Sequence, residues 1–155
     1  MSGLDLSSPV TGSAQTSLTS PTYTHVVDVA PSPFGKQNAV TQLGGTQTGV
    51  TIHSASSPFT LTRFRPQQLK QLPQADSRGL IKNIPNNTFK FVTRKGVTPA
   101  AGVPPIAMPI TTTLPIPAGV DTYDAANLRA ALSAHIGMLT QLSAAIGDAG
   151  VSGII

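Results

Sequence analysis

At 155 residues the chain has the length of one ordinary domain. It is 39% apolar but only 5% aromatic, with no Cys and no Trp, which excludes disulfides and Cys-ligated metals. Ten Lys and Arg stand against six Asp and no Glu, for a formal charge of +4, and charged residues make up only 10% of the chain, against about 25% in a typical soluble domain; so little charge predicts a protein that works assembled, with much of its exterior inside contacts.

The start, MSGLDLSSPV, lacks the basic region and apolar run of a signal peptide. No stretch approaches the roughly 20 apolar residues of a membrane span. The chain is therefore read as intracellular, with no membrane partner. Residues 1–21 are rich in Ser, Thr, Gly and Pro without helical periodicity, and predict a flexible or extended N-terminal arm. TYTHVVDVA (22–30) is β-branched and strand-like, ended by Pro31 and Pro33. NAVTQL (38–43) and GVTIHSA (49–55) read as two strands joined through GGTQT, whose glycines suit a tight connection.

FTLTRFR (59–65) alternates, with Phe59, Leu61, Arg63 and Arg65 on one face. Residues 67–87 read as a connection, with a short strand at 79–84 and a turn at Asn86-Asn87. TFKFVTRKGV (88–97) separates Phe89, Phe91 and Thr93 from Thr88, Lys90, Val92 and Arg94. After the Pro/Gly linker 98–105, IAMPITTTLPIP (106–117) puts Ile110, Thr112 and Leu114 on one face and Thr111 and Thr113 on the other. Its prolines place it at a sheet edge or in an irregular strand.

Helices close the chain. Thr122 or Asp124 can cap one over about 124–140, with Leu128, Ala131, Leu132, His135, Ile136, Leu139 and Leu142 at spacings of three and four. A second is expected at 142–148, containing Ile146 and ended by Gly147 and Gly150. Strands first and helices last predict an α+β fold, one domain over 1–155, with helices on one face of an antiparallel sheet.

Charge is concentrated. Eight of the ten basic residues lie between Arg63 and Lys95, opposed there by Asp76 alone. A basic window in a charge-poor chain predicts a polyanion partner, and Lys90, Arg94, Thr111 and Thr113 form a polar face suited to an extended one. Catalytic and metal chemistry find no support. There is no G-x-S-x-G elbow and no paired acids, and His25 and Asp28 fall on opposite faces of a strand. GGTQTG matches neither a dinucleotide fingerprint nor a P-loop. The chain is read as a non-enzyme without cofactor or metal. Tyr23 and Tyr123 are its only tyrosines, so platforms for stacking bases are scarce.

From TFKFVTRKGV through ITTTLPIPAGVDTY and NLRAALSAHIGM to SAAIGDAGVSGII, residues 88–155 resemble the coat proteins of single-stranded RNA bacteriophages. The shared order is an aromatic-led strand with alternating bases, a Pro/Gly loop, a strand ending Leu114-Pro115-Ile116-Pro117, two helices, and a Ser152-Gly153-Ile154-Ile155 terminus. The resemblance implies an N-terminal hairpin and an antiparallel sheet followed by two C-terminal α-helices. It implies an intertwined homodimer with a continuous sheet, whose copies close an icosahedral shell around genomic RNA in the host bacterium's cytoplasm and persist in the virion. It implies RNA contacts at Thr88, Lys90, Arg94, Thr111 and Thr113, with Arg63 and Arg65 contributing from a neighbouring strand. Val92 departs from the polar or basic residue many relatives carry there. Dimer contacts are implied at Leu128, Leu132, His135, Leu139, Ile146, Ile154 and Ile155. The alternatives are a non-assembling RNA-binding dimer that acts as a translational repressor on an RNA hairpin and, more distantly, a fibre or surface-layer subunit.

Overall fold

The computed structural model describes residues 3–155. Six antiparallel strands form one sheet in sequence order: β1 (Val10–Thr11), β2 (Thr19–Asp28), β3 (Gly35–Thr46), β4 (Phe59–Phe64), β5 (Asn86–Val97) and β6 (Ile106–Pro117). Three helices follow: α1 (Val120–Tyr123), α2 (Ala125–Gln141) and α3 (Ser143–Ser152). The predicted α+β class, strands first and helices last, is the observed architecture. β5 and β6 pair over their full twelve residues, from Asn86 opposite Pro117 to Val97 opposite Ile106. β6 is an edge strand, as its prolines predict, but it is regular throughout.

Gly44 and Gly45 do not make the expected tight connection. β3 runs through Gly44 and Gly45 to Thr46, and both serve close approach to β2. A Cβ on Gly44 would lie 2.1 Å from Thr22 Oγ1, and Gly45 takes φ +71° with the Thr19 and Ser20 carbonyls crowding it. The strand expected at 49–55 is absent, because its polar groups bond elsewhere. The His53 amide donates to the Val40 carbonyl and the Phe59 amide to His53 Nδ1, while Lys95 Nζ reaches Thr51. Residues 79–84 form no strand either; Asp76 organises that loop by accepting from the Arg78 and Leu80 amides.

Residues 3–21 are extended and tied to the sheet rather than free. Asp5 pairs with Lys36, the Ser7 carbonyl meets His25 Nε2, and Ser8 Oγ accepts from the His25 amide. Lys36, through its hydrogen bond and then its charge, holds the Asp5 carboxyl below its usual pKa. α2 is capped by Asp124, whose side chain accepts from the Asn127 amide. α3 passes through Gly147 and Gly150, where an end was expected, and stops at Gly153 in the left-handed conformation (φ +73°). Gly147 is a packing glycine: a Cβ there would lie 2.1 Å from Gln15 Oε1. Gln15 Nε2 donates to the carbonyl and hydroxyl of Ser143, and Thr16 bonds Asp148, so α3 docks on the loop before β2.

The buried apolar set is small: Ala39, Val40, Phe59 and Ala118. The expected packing of the helix stripe on the chain's own sheet does not occur. α2 buries no residue, and a gap of about 480 Å³ separates Leu128, Leu132, His135 and Leu139 from Phe91 and Leu114.

Candidate nucleic-acid interface

Directly paired residues of a sheet share a face. Thr88, Lys90, Val92 and Arg94 of β5 lie opposite Pro115, Thr113, Thr111 and Pro109 of β6. On the other side, Lys90, Val92 and Arg94 lie opposite Phe64, Thr62 and Thr60 of β4. The register therefore brings Thr88, Lys90, Arg94, Thr111 and Thr113 onto one face, all exposed. Lys90 and Arg94 stand about 13 Å apart along the strand. At the level of Val92 the row continues through Thr62, Gln37 and Asp28. Thr62 Oγ1 donates to Gln37 Oε1 at 2.9 Å and Gln37 Nε2 to Asp28 Oδ2 at 2.7 Å. That bond, with a further one from the Val29 amide, holds the Asp28 carboxyl below its usual pKa. Asp28, the acid of this row, is thus engaged at its far side, away from Lys90 and Arg94.

Arg63 is not part of that face. Its partner in β5 is Phe91, which puts it among the apolar residues, and it is only 8% exposed. Nη2 donates to Asn38 Oδ1 at 2.8 Å, Asn38 Nδ2 to His25 Nδ1 at 3.0 Å, and His25 Nε2 to the Ser7 carbonyl at 3.2 Å. This chain of donors is directional and fixes the imidazole with its proton on Nε2. Burial pulls the Arg63 pKa down and the Asp5 charge opposes the shift. Arg65 lies just past β4, exposed, and with Phe89 lines a hollow on the Arg63 side of the sheet. Both arginines are thus separated from Lys90 and Arg94 by the thickness of the sheet. The rest of the basic window is spread out: Lys82 pairs with Asp76 at 3.4 Å, and Lys95 lies 4.9 Å over the Phe59 ring.

The buried Arg63–Asn38–His25 chain was missed from sequence. Its one legible sign was the alternation placing Arg63 with Phe59 and Leu61. Of the expected dimer residues, Leu128 and Leu132 are half-buried, and His135, Leu139, Ile146, Ile154 and Ile155 stand exposed.

No family model matches the chain, and no curated protein does. A solved structure does. The "Virus-like particle of bacteriophage ESE020" superposes with a TM-score of 0.96 at 56% identity, over 99% of this chain and 100% of that one. The chain belongs to the bacteriophage coat proteins. A coat protein is a structural component that self-assembles into a capsid, and the capsid accounts for the low charge and the open apolar surfaces. On this coat protein the polar sheet face presents Thr88, Lys90, Arg94, Thr111 and Thr113 exposed, while the opposite face carries Phe59, Phe89, Phe91 and Leu114 toward α2 and the N-terminal segment.

Proposed function

We propose that this coat protein encloses single-stranded RNA, and that the face bearing Thr88, Lys90, Arg94, Thr111 and Thr113 is the lining that meets it. The observation that carries this reading is the register of β4, β5 and β6, which sets Thr88, Lys90, Arg94, Thr111 and Thr113 together on one side, with Phe64 among them, and Phe59, Phe89 and Phe91 on the other. Cations on such a face offset phosphate repulsion without reading sequence. Arg63 and Arg65 are left out of the proposed contact because they lie on the other side. The assembling unit is a homodimer: sheets join along β6, and the α2 stripe with Ile146, Ile154 and Ile155 closes on the second copy.

The protein expressed alone in bacteria is expected to form closed particles of uniform size that carry RNA, seen by electron microscopy and by nucleic acid extracted from the same fraction. Lys90→Gln and Arg94→Gln should each lower the affinity of the dissociated subunit for a single-stranded RNA oligonucleotide. Each should also flatten its salt dependence by about 0.7 to 1 unit of log–log slope. An unchanged slope in both variants would place RNA on another surface. A soluble RNA-binding dimer that never forms particles would favour a repressor instead.

A further inference from the structure

We propose that two copies pair through β6 about a two-fold axis passing at Thr112, in one register set by the chain's own sequence. The inference rests on the edge-joined dimer above and adds where the axis falls. Its basis is a palindrome. Residues 109–115 read Pro-Ile-Thr-Thr-Thr-Leu-Pro, so Thr112 has a threonine on each side, then Ile110 and Leu114, then Pro109 and Pro115. An antiparallel strand paired with its own copy about Thr112 sets Thr111 opposite Thr113, Ile110 opposite Leu114 and Pro109 opposite Pro115. A two-fold contact demands such self-complementarity, since each residue meets the partner of its symmetry mate.

The backbone agrees. Pro109, Pro115 and Pro117 face Arg94, Thr88 and Asn86 of β5, and all three occupy odd positions. Proline has no N–H, so a strand that keeps its ladder turns these positions away from its neighbour. Odd residues of β6 thus direct their backbone groups outward from β5, to the free edge. The outward donors in the middle of that edge belong to Thr111 and Thr113, and Pro109 and Pro115 bound them. About Thr112, each threonine exchanges two hydrogen bonds with its opposite number, and the prolines, which lack donors, meet each other. Moving the axis to Thr111 would set Thr113 against Pro109 and Ile110 against Thr112. Moving it to Thr113 would set Thr111 against Pro115 and Leu114 against Thr112. Either shift puts a threonine carbonyl opposite a missing donor and a threonine against an aliphatic side chain.

The chosen register also sorts the faces. Thr111 and Thr113 lie on the side of Lys90, so four hydroxyls bridge the cations of two sheets. Ile110, 59% exposed in the single chain, meets Leu114 of the second copy on the side of Phe91 and Thr93.

The test uses single cysteines, which the cysteine-free chain makes unambiguous. Thr112 meets its own copy in a pair without hydrogen bonds, where Cα atoms lie about 4.5 Å apart and a disulfide can close. Mild oxidation of purified dimers should shift most Thr112→Cys chains to twice the subunit mass. Thr111→Cys and Thr113→Cys alone should stay unlinked, and co-expressing those two should restore the link. Stronger linkage of Thr111→Cys or Thr113→Cys would overturn the register while leaving the edge-joined dimer in place. No linkage in any variant, with dimers persisting in sedimentation, would show that the edges do not meet here. Monomers throughout, the unaltered chain included, would defeat the dimer as well.

Discussion

Arg63 carries an unusual burden for a β-sheet residue. It is buried, and only Nη2 has a partner; Nε and Nη1 are buried without one. Removing Asn38 would leave the whole guanidinium unpaired, whereas removing Arg63 takes away the buried charge itself. The two substitutions should therefore differ in a direction that simple deletion of one hydrogen bond would not produce. Asn38→Leu is expected to destabilise the subunit by about 2–3 kcal/mol. Arg63→Met, which keeps the packed stem, should cost less than about 1 kcal/mol. Urea unfolding at one fixed protein concentration measures both. Equal losses would mean that the guanidinium finds partners in the assembly, and that its charge is not a liability there. Neither change touches the face of Lys90 and Arg94, so with RNA on that face as proposed, RNA content per particle should hold.

At the scale of elements, α3 distinguishes two glycines that look alike in sequence. Around Gly150 a Cβ would meet open space, so Gly150→Ala should stabilise the helix by about 0.5–1 kcal/mol. At Gly147 the same methyl displaces Gln15, whose amide makes two 2.8 Å bonds to Ser143. Gly147→Ala should fall short of the Gly150→Ala gain by about 1–2 kcal/mol, read from the same unfolding curves. Sequence alone suggested that both glycines end the helix, because local rules see a breaker and not the loop docked against it. The same blindness affected Gly44 and Gly45, which looked like a turn and are points of close approach of β2 to β3. β5 and β6 were legible because their alternation is clean over most of twelve residues. Lys90, Arg94, Thr111 and Thr113 were assigned to a common face for that reason. Arg63 was assigned to the RNA contact with Arg65, although its alternation with Phe59 and Leu61 was visible. Its side of the sheet depends on pairing with Phe91, and register is a property of two strands.

For the whole molecule the decisive quantity is surface. A compact monomer of 15.9 kDa exposes about 7,400 Å²; this chain exposes 10879 Å². The excess, about 3,500 Å² per chain, is well above the roughly 800 Å² that one partner contributes to a standard interface, so it is enough for several contacts. Its composition fits burial: Ile110, Ile136, Leu142 and Ile146 are each about half exposed, and α2 faces a gap rather than a sheet. With only Ala39, Val40, Phe59 and Ala118 as buried apolar residues among those described, the single chain has little core of its own, so folding and association should be one transition. For the proposed homodimer, the midpoint of urea unfolding of the dissociated subunits is then expected to rise with protein concentration, and tenfold dilution should cost about 1.4 kcal/mol of apparent stability per dimer. A midpoint that ignores concentration would mean that the chain folds before it associates. The open α2 face would then be a surface that closes only in the shell, and the dimer would be a step in assembly rather than a condition of folding.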